Sequence, residues 1–305
     1  MFKFDQEKYW QKYNEVEMER SAGLKFNMSF KEALDHFFRN EPGKRRMFLI
    51  KDLLDKEEKA GKIAKKITNI LEVGLDFFKD KKILDVGTGS GGAAVFFSKA
   101  GADVIGIDTN EGFLKLARIR ARENDLKLDF MAGDATNSGF KDNCFDFLFA
   151  DQVIEHVKDV DGLFKEAHRI LKPGGHLFMQ FPNKWQIREV HCDGLFFVSF
   201  LPNALATFYL CLRKKRKWEL VFLPWGVWHK WPSTIFRLLE KNGFSIIYKD
   251  YPPLIGDLEA DAAQKYKNRK FMQNRFSAAI FKALYYLKEL LKRSQSNVNV
   301  MALKR

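Results

Sequence analysis

The sequence predicts an α/β fold built on a doubly wound, mainly parallel sheet, and three observations predict it. Short apolar runs alternate with segments of helical period between residues 81 and 183, the β–α alternation that lays helices on both faces of a parallel sheet. The first run, Ile83-Leu-Asp-Val86, enters a glycine-rich turn, Gly87-Thr-Gly-Ser-Gly-Gly92, and then a helix. The second run ends in an acid, Asp108, at about the 20-residue distance that brings a second-strand carboxylate to a ligand's ribose in nucleotide-binding α/β folds.

The elements follow in order. Residues 1–80 read as a mostly helical extension, broken at Glu41-Pro-Gly43, with helices expected over Arg46–Leu54 and Gly61–Phe78. The second carries Ile63, Ile67 and Ile70 at helical spacing, which suits either a lid or a helix packed on the sheet. Lys82–Val86 is the first strand and Ala93–Ala100 its helix; Ala102–Ile107 is the second strand, followed by a helix over Glu111–Glu123. Leu126–Met131 and Phe145–Ala150 are the third and fourth strands. A helix over Val160–Leu171 leads through Leu171-Lys-Pro-Gly-Gly175 into a fifth strand, His176–Phe181. An aromatic-rich insertion spans 184–230. Ser233–Asn242 is a helix stopped by Gly243, and Phe244–Lys249 and Asn297–Leu303 are the last strands. Between those strands, the insertion at 256–296 carries a basic amphipathic helix expected over Phe271–Lys292.

The core motifs resemble the class I, Rossmann-like S-adenosylmethionine-dependent methyltransferases. Asp85-Val-Gly-Thr-Gly-Ser-Gly91 is similar to that family's first motif, Val104-Ile-Gly-Ile-Asp108 to its second-strand acid, Gly133-Asp134-Ala135 to its adenine-side motif, and Leu171-Lys-Pro-Gly-Gly175 to its turn before strand five. The resemblance implies a seven-stranded sheet of order 3-2-1-4-5-7-6 with the last strand antiparallel, and a methyltransferase domain over 81–305. It also implies that helices within 1–80 lie over the cofactor site as a lid. A nicotinamide-dependent dehydrogenase is the rival for a glycine loop of this kind, but its usual Gly-x-Gly-x-x-Gly spacing differs from Gly87-x-Gly89-x-Gly91, and it leaves the later motifs unexplained.

The cofactor that the resemblance implies is S-adenosyl-L-methionine. Gly87, Thr88, Gly89 and Gly91 would bring the backbone against it, because glycine lets a ligand approach the main chain closely. Asp85 would sit near the methionine amino group, Asp108 with Thr109 at the ribose diol, and Gly133, Asp134 and Ala135 around the adenine. Asp151 and Gln152 would lie where strand four opens toward the methyl group. Val153-Ile-Glu-His-Val157 offers Glu155 and His156 as catalytic candidates, since an imidazole takes protons near neutral pH; the other role for His156 is a hydrogen-bonded histidine at a helix start. Trp185, His191, Asp193 and His229 in the insertion are candidate acceptor contacts. Their spacing supports no metal site.

The three cysteines, Cys144, Cys192 and Cys211, are scattered, which argues against a disulfide framework or a zinc site. The first 20 residues are charged throughout, so a cytoplasmic protein is expected. Formal net charge is +13, which suits an anionic membrane, a nucleic acid or a phosphate-bearing substrate. Phe181-Pro-Asn183 lacks the Asn/Asp-Pro-Pro-Tyr signature that resembles amine methyltransferases of DNA and protein. The later segments are instead similar to quinone and polysaccharide O-methyltransferases. The acceptor expected is therefore a small-molecule, saccharide or lipid-linked hydroxyl. The alternatives are an RNA methyltransferase, for which no appended RNA-binding module is visible, and a non-catalytic cofactor-binding subunit. Gly194–Leu212 is uncharged and is followed by Arg213-Lys-Lys-Arg-Lys217. Pro202-Asn203 breaks it, so it reads either as a roof over the acceptor pocket or as an interfacial element meeting anionic lipid; it does not read as a membrane span.

Overall fold

The computed structural model describes residues 16, 18–182, 188–189, 195–196, 201, 203–213, 231–250 and 297–305. Strands β1 (Lys82–Val86), β2 (Asp103–Asp108), β3 (Asp129–Ala132), β4 (Phe145–Asp151) and β5 (Leu171–Pro182) run parallel. β6 (Phe244–Asp250) and β7 (Asn297–Lys304) complete the sheet, with β7 inserted antiparallel between β5 and β6. The order is β3-β2-β1-β4-β5-β7-β6, the 3-2-1-4-5-7-6 topology expected of the resemblance. A separate two-stranded hairpin joins Arg188–Glu189 to Leu195–Phe196.

Strand side chains alternate between faces, so each face builds its own core. Leu84, Val86, Leu148, Leu177, Met179, Val298 and Val300 pack against α6 (Val160–Ile170) and α8 (Pro232–Lys241) through Leu163, Phe164, Ile235 and Leu239. On the other face, Ile83, Phe147, Phe149, Phe178 and Met301 pack against α3 (Lys56–Leu71) and α4 (Gly92–Lys99) through Ile63, Ile67, Ala94 and Phe97. A third cluster joins α1 (Phe30–Phe37) to α5 (Glu111–Glu123) through Phe30, Leu34, Phe37, Leu116 and Ile119. A capping box starts α1, Ser29 and Glu32 each accepting the other's backbone N–H, which satisfies donors that a helix start leaves open.

Several element boundaries differ from the sequence expectation, and three of the segments concerned show a physical reason. The helix expected over Gly61–Phe78 starts at Lys56 and stops at Leu71; Glu72 adopts a left-handed φ of 55°, and Leu75–Phe78 forms a separate 3-10 turn. Gly61 lies inside α3 because a Cβ there would come within 2.9 Å of the Phe96 ring. The third strand starts at Asp129, since the Leu126 N–H still bonds the Ala121 carbonyl and closes α5. Finally, Leu171-Lys-Pro-Gly-Gly175 belongs to β5. Leu171 pairs with Phe145 and His176 with Phe147, so the intervening residues bulge out of the ladder. The Lys304 ammonium donates to the Leu171 carbonyl and to Asn143 at 2.8 Å each, tying β7 to that bulge.

Within the insertion, α7 (Asn203–Leu212) begins just after Pro202, where the break was expected. The amphipathic helix expected over Phe271–Lys292 lies outside the described residues. Among the described residues, no helix is long and apolar enough to cross a membrane.

Candidate functional site

Parallel strands deliver their carboxyl ends to one edge of the sheet, and the register sets the predicted site segments side by side there. Val86 pairs with Ile107 on one side and Ala150 on the other, and Asp108 pairs with Ala132. Residues 87–91, 108–109, 133–135 and 151–152 therefore converge on one edge, as crevices for ligands do in open α/β sheets.

The glycine turn is shaped by positive φ angles of 65° at Gly87 and 52° at Gly89, a region costly for residues with a Cβ. At Gly87 a Cβ would also meet Val153 Cγ2 at 2.6 Å, so this glycine lets the turn pass under the segment after β4. At Gly89 a Cβ would meet, among the described residues, only the Gly87 carbonyl, at 3.9 Å, so they leave the space beyond that glycine open. The turn then becomes the N-cap of α4 at Gly91, whose first N–H groups carry the positive end of the helix dipole.

Asp108 fixes this turn. Its Oδ2 accepts the Gly89 N–H at 2.8 Å and its Oδ1 accepts the Asn110 N–H at 2.9 Å. Burial raises its pKa and the backbone N–H bonds oppose the rise. Each carboxylate oxygen keeps a second lone pair for a ligand donor. Thr109 beside it is exposed, and Gly133 N–H bonds the Asp108 carbonyl at 3.0 Å, placing Gly133 next to it. Asp134 is exposed and Ala135 half-buried. Asp134 uses Oδ1 to accept the Thr136 N–H at 2.8 Å.

Asp85 is 3 % exposed and accepts the Thr88 hydroxyl at 2.6 Å. Burial pushes its pKa up to about 7 against the pull of Thr88, and the neighbouring Asp151 and Asp108 charges add to the rise. Asp151 has its pKa raised by burial, opposed by Lys56 and Lys59; Lys56 Nζ stands 3.9 Å from its Oδ2. Asp151 Oδ1 and Gln152 Nε2 are buried and reach no partner at good hydrogen-bond geometry among the described residues, although the Gln152 side chain stands close enough to Asp151 to favour its charged form. Gln152 also sits at a positive φ of 60°, held by its N–H to the Gln180 carbonyl at 2.8 Å. Buried polar atoms left open beside an open glycine cradle fit a ligand that brings donors and acceptors of its own. The carboxylate oxygens of Asp85, Asp108 and Asp151 suit S-adenosylmethionine, whose ammonium, ribose hydroxyls and adenine amine are donors, while the Gln152 amide nitrogen suits an acceptor.

The two catalytic candidates separate. The 3-10 turn Ile154–His156 buries Glu155 and exposes His156. Trp185, His191, Asp193 and His229 lie outside the described residues. Sequence reasoning missed an amide chain at the end of β5. Gln180 Nε2 donates to Asn299 Oδ1 at 2.7 Å, and Asn297 Nδ2 donates to Gln180 Oε1 at 3.1 Å. The available signal was a polar residue at a core-facing position of an apolar strand. It also missed Arg120 of α5, 3 % exposed, which donates to the Leu53 and Leu54 carbonyls at 2.6 and 3.1 Å and to Ser90 Oγ at 3.3 Å. The helices before β1 are thereby tied to the glycine turn.

Residues 84–179 match the model of the methyltransferase domain family. Over 173 residues the chain is 31% identical to a ubiquinone biosynthesis O-methyltransferase of Pelagibacter ubique, covering 55% of this chain and 63% of that protein. It is 40% identical over 97 residues to a sterol 24-C-methyltransferase of Aspergillus fumigatus, covering 31% of this chain and 26% of the relative. It is 34% identical over 111 residues to phosphoethanolamine N-methyltransferase 2 of Caenorhabditis elegans, covering 36% and 25% respectively. The matches thus span less than two thirds of each relative's length.

Proposed function

With residues 84–179 forming a class I S-adenosylmethionine-dependent methyltransferase core, we propose that this chain O-methylates a small-molecule, saccharide or lipid-linked acceptor. The observation that carries the reading is the Asp108-clamped glycine turn facing the open polar atoms of Asp151 and Gln152. The oxygen acceptor is supported by the longest of the three matches, to a protein named as a ubiquinone O-methyltransferase. The names of the other two give carbon and nitrogen acceptors, so the core motifs alone do not select the atom.

The cofactor, when bound, supplies an electrophilic methyl carbon on a sulfonium, and in-line transfer then depends on orientation and water exclusion. The chain's residues divide that work. The turn from Gly87 to Gly91, with Thr88, sets the backbone against the cofactor. Asp85 faces its ammonium, whose positive charge favours the ionised carboxylate in a site where burial alone raises the pKa. Asp108, already oriented by two N–H donors, accepts from the ribose beside Thr109. Gly133, Asp134 and Ala135 border the adenine. Asp151 and Gln152 line the side from which the acceptor approaches, and a ring nitrogen of His156 takes the acceptor's hydroxyl proton. Glu155, buried in the same 3-10 turn, shapes it. Trp185, His191 and His229 are assigned to the acceptor, and residues 1–80 to a lid over the cofactor. The protein is placed in the cytoplasm.

A second reading, methylation of RNA, is favoured by the net charge of +13. Incubation with methyl-labelled cofactor and separated lipid, glycan and RNA fractions tests both. Label in lipid or glycan, lost in His156→Ala, is expected; label confined to RNA overturns the acceptor assignment.

A further inference from the structure

Helix α2 (Gly43–Leu54) presents large apolar residues to solvent. Its inner face, Leu49, Ile50 and Leu53, packs on the cluster formed by α1 and α5. The opposite stripe would ordinarily be polar on a soluble surface. Here it reads Lys44, Met47, Phe48, Lys51 and Leu54, spaced by one and two turns. Met47 is 66 % exposed, Phe48 60 % and Leu54 39 %. Lys44 and Lys51 are exposed and bracket the apolar pair, with Asp55 at the helix end four residues after Lys51.

We infer that this stripe of α2 is a docking surface for an anionic lipid bilayer, with Met47 and Phe48 entering the headgroup layer and Lys44 and Lys51 meeting its charges. Large apolar side chains flanked by lysines on one helix face are the chemistry of interfacial helices, and the positive net charge adds long-range attraction to the same surface. The position is as informative as the composition. Arg120 holds the Leu53 and Leu54 carbonyls at the end of α2 and reaches Ser90 of the glycine turn. Lys56, two residues past the helix, stands beside Asp151. A bilayer bound at α2 therefore lies next to the edge of the sheet that holds the candidate site. This contact is distinct from the uncharged and basic segments around 194–217 and 271–292. Docking itself does not depend on the methyltransferase reading; presentation of a lipid-linked acceptor does.

The test is vesicle flotation of the full chain, with phosphatidylcholine vesicles with and without phosphatidylglycerol. The wild type is expected to float only with anionic vesicles. Lys44→Gln/Lys51→Gln should weaken partitioning about thirtyfold, and Met47→Ser/Phe48→Ser should weaken it at least as much. Both variants should keep the wild-type circular dichroism and the wild-type affinity for S-adenosylhomocysteine, which separates loss of docking from loss of fold or of the cofactor reading. Failure of the wild type to float overturns the inference, and so does flotation that both variants retain. A wild-type dimer that Met47→Ser/Phe48→Ser dissociates, without vesicle binding, would assign the face to a second copy of the chain instead.

Discussion

Asp85 and Asp108 are both carboxylates at strand ends, yet their surroundings set them different tasks. Asp108 receives two backbone N–H bonds, whereas Asp85 is enclosed with the Thr88 hydroxyl, the Ala94 backbone and acidic neighbours. The pKa of Asp85 in the folded protein, about 7, lies above its unfolded value near 3.8. A raised acid of this kind leaves stability intact at low pH and removes it as pH rises from the unfolded toward the folded value. Asp85→Asn carries no such charge. The ligand-free variant is therefore expected to match the wild type near pH 4 and to exceed it by a few kcal/mol above pH 8, measured by urea unfolding at both pH values. A stability gap that does not widen with pH would remove Asp85 from this role. His156→Ala should lower methyl transfer by about 10²–10⁴-fold while leaving cofactor affinity unchanged; a wild-type rate in that variant would remove His156 as the base. Asp85 was legible in the sequence because it stands where an apolar run enters the glycine turn, and Asp108 because it ends the next apolar run at about the 20-residue distance. Gln180 and Asn299 were not, since their partnership spans 119 residues and only the β5–β7 register brings it about.

At the scale of elements, the most informative contact joins the extension to the core. Arg120 is buried in α5, with its guanidinium 4.2 Å from the Phe30 ring centre, and burial lowers its pKa to about 10, so it stays charged at neutral pH. It supplies donors to two carbonyls at the end of α2 and to the glycine turn at once. Arg120→Met would leave those carbonyls without that donor, and a destabilisation of about 2 kcal/mol is expected, with faster amide hydrogen exchange over residues 54–60. Arg120→Lys, with a point charge in place of a planar fork, should lose part of this. Wild-type exchange in Arg120→Met would show that the α2–α3 junction is held by other contacts. The β–α alternation was readable because each run has one period. The junction at 54–56 was not, because a tertiary contact marks it, the Arg120 guanidinium on the Leu53 and Leu54 carbonyls, and periodicity carries no trace of that contact.

At the scale of the whole molecule, the antiparallel β7 between β5 and β6 could be anticipated only through the resemblance, since strand order depends on pairing between distant segments. The glycine turn, the two carboxylates and the open amide and carboxylate beyond β4 all lie at one edge of that sheet, and the bilayer-docking stripe adjoins it. The site assignments at that edge, though not the docking stripe, rest on the cofactor. The most direct measurement is calorimetric titration of the full chain with S-adenosylhomocysteine, alongside Asp108→Ala. Micromolar binding by the wild type, weakened about 10–100-fold in the variant through loss of its charged hydrogen bonds, is the predicted result. A folded wild type that takes up no S-adenosylhomocysteine would contradict the account.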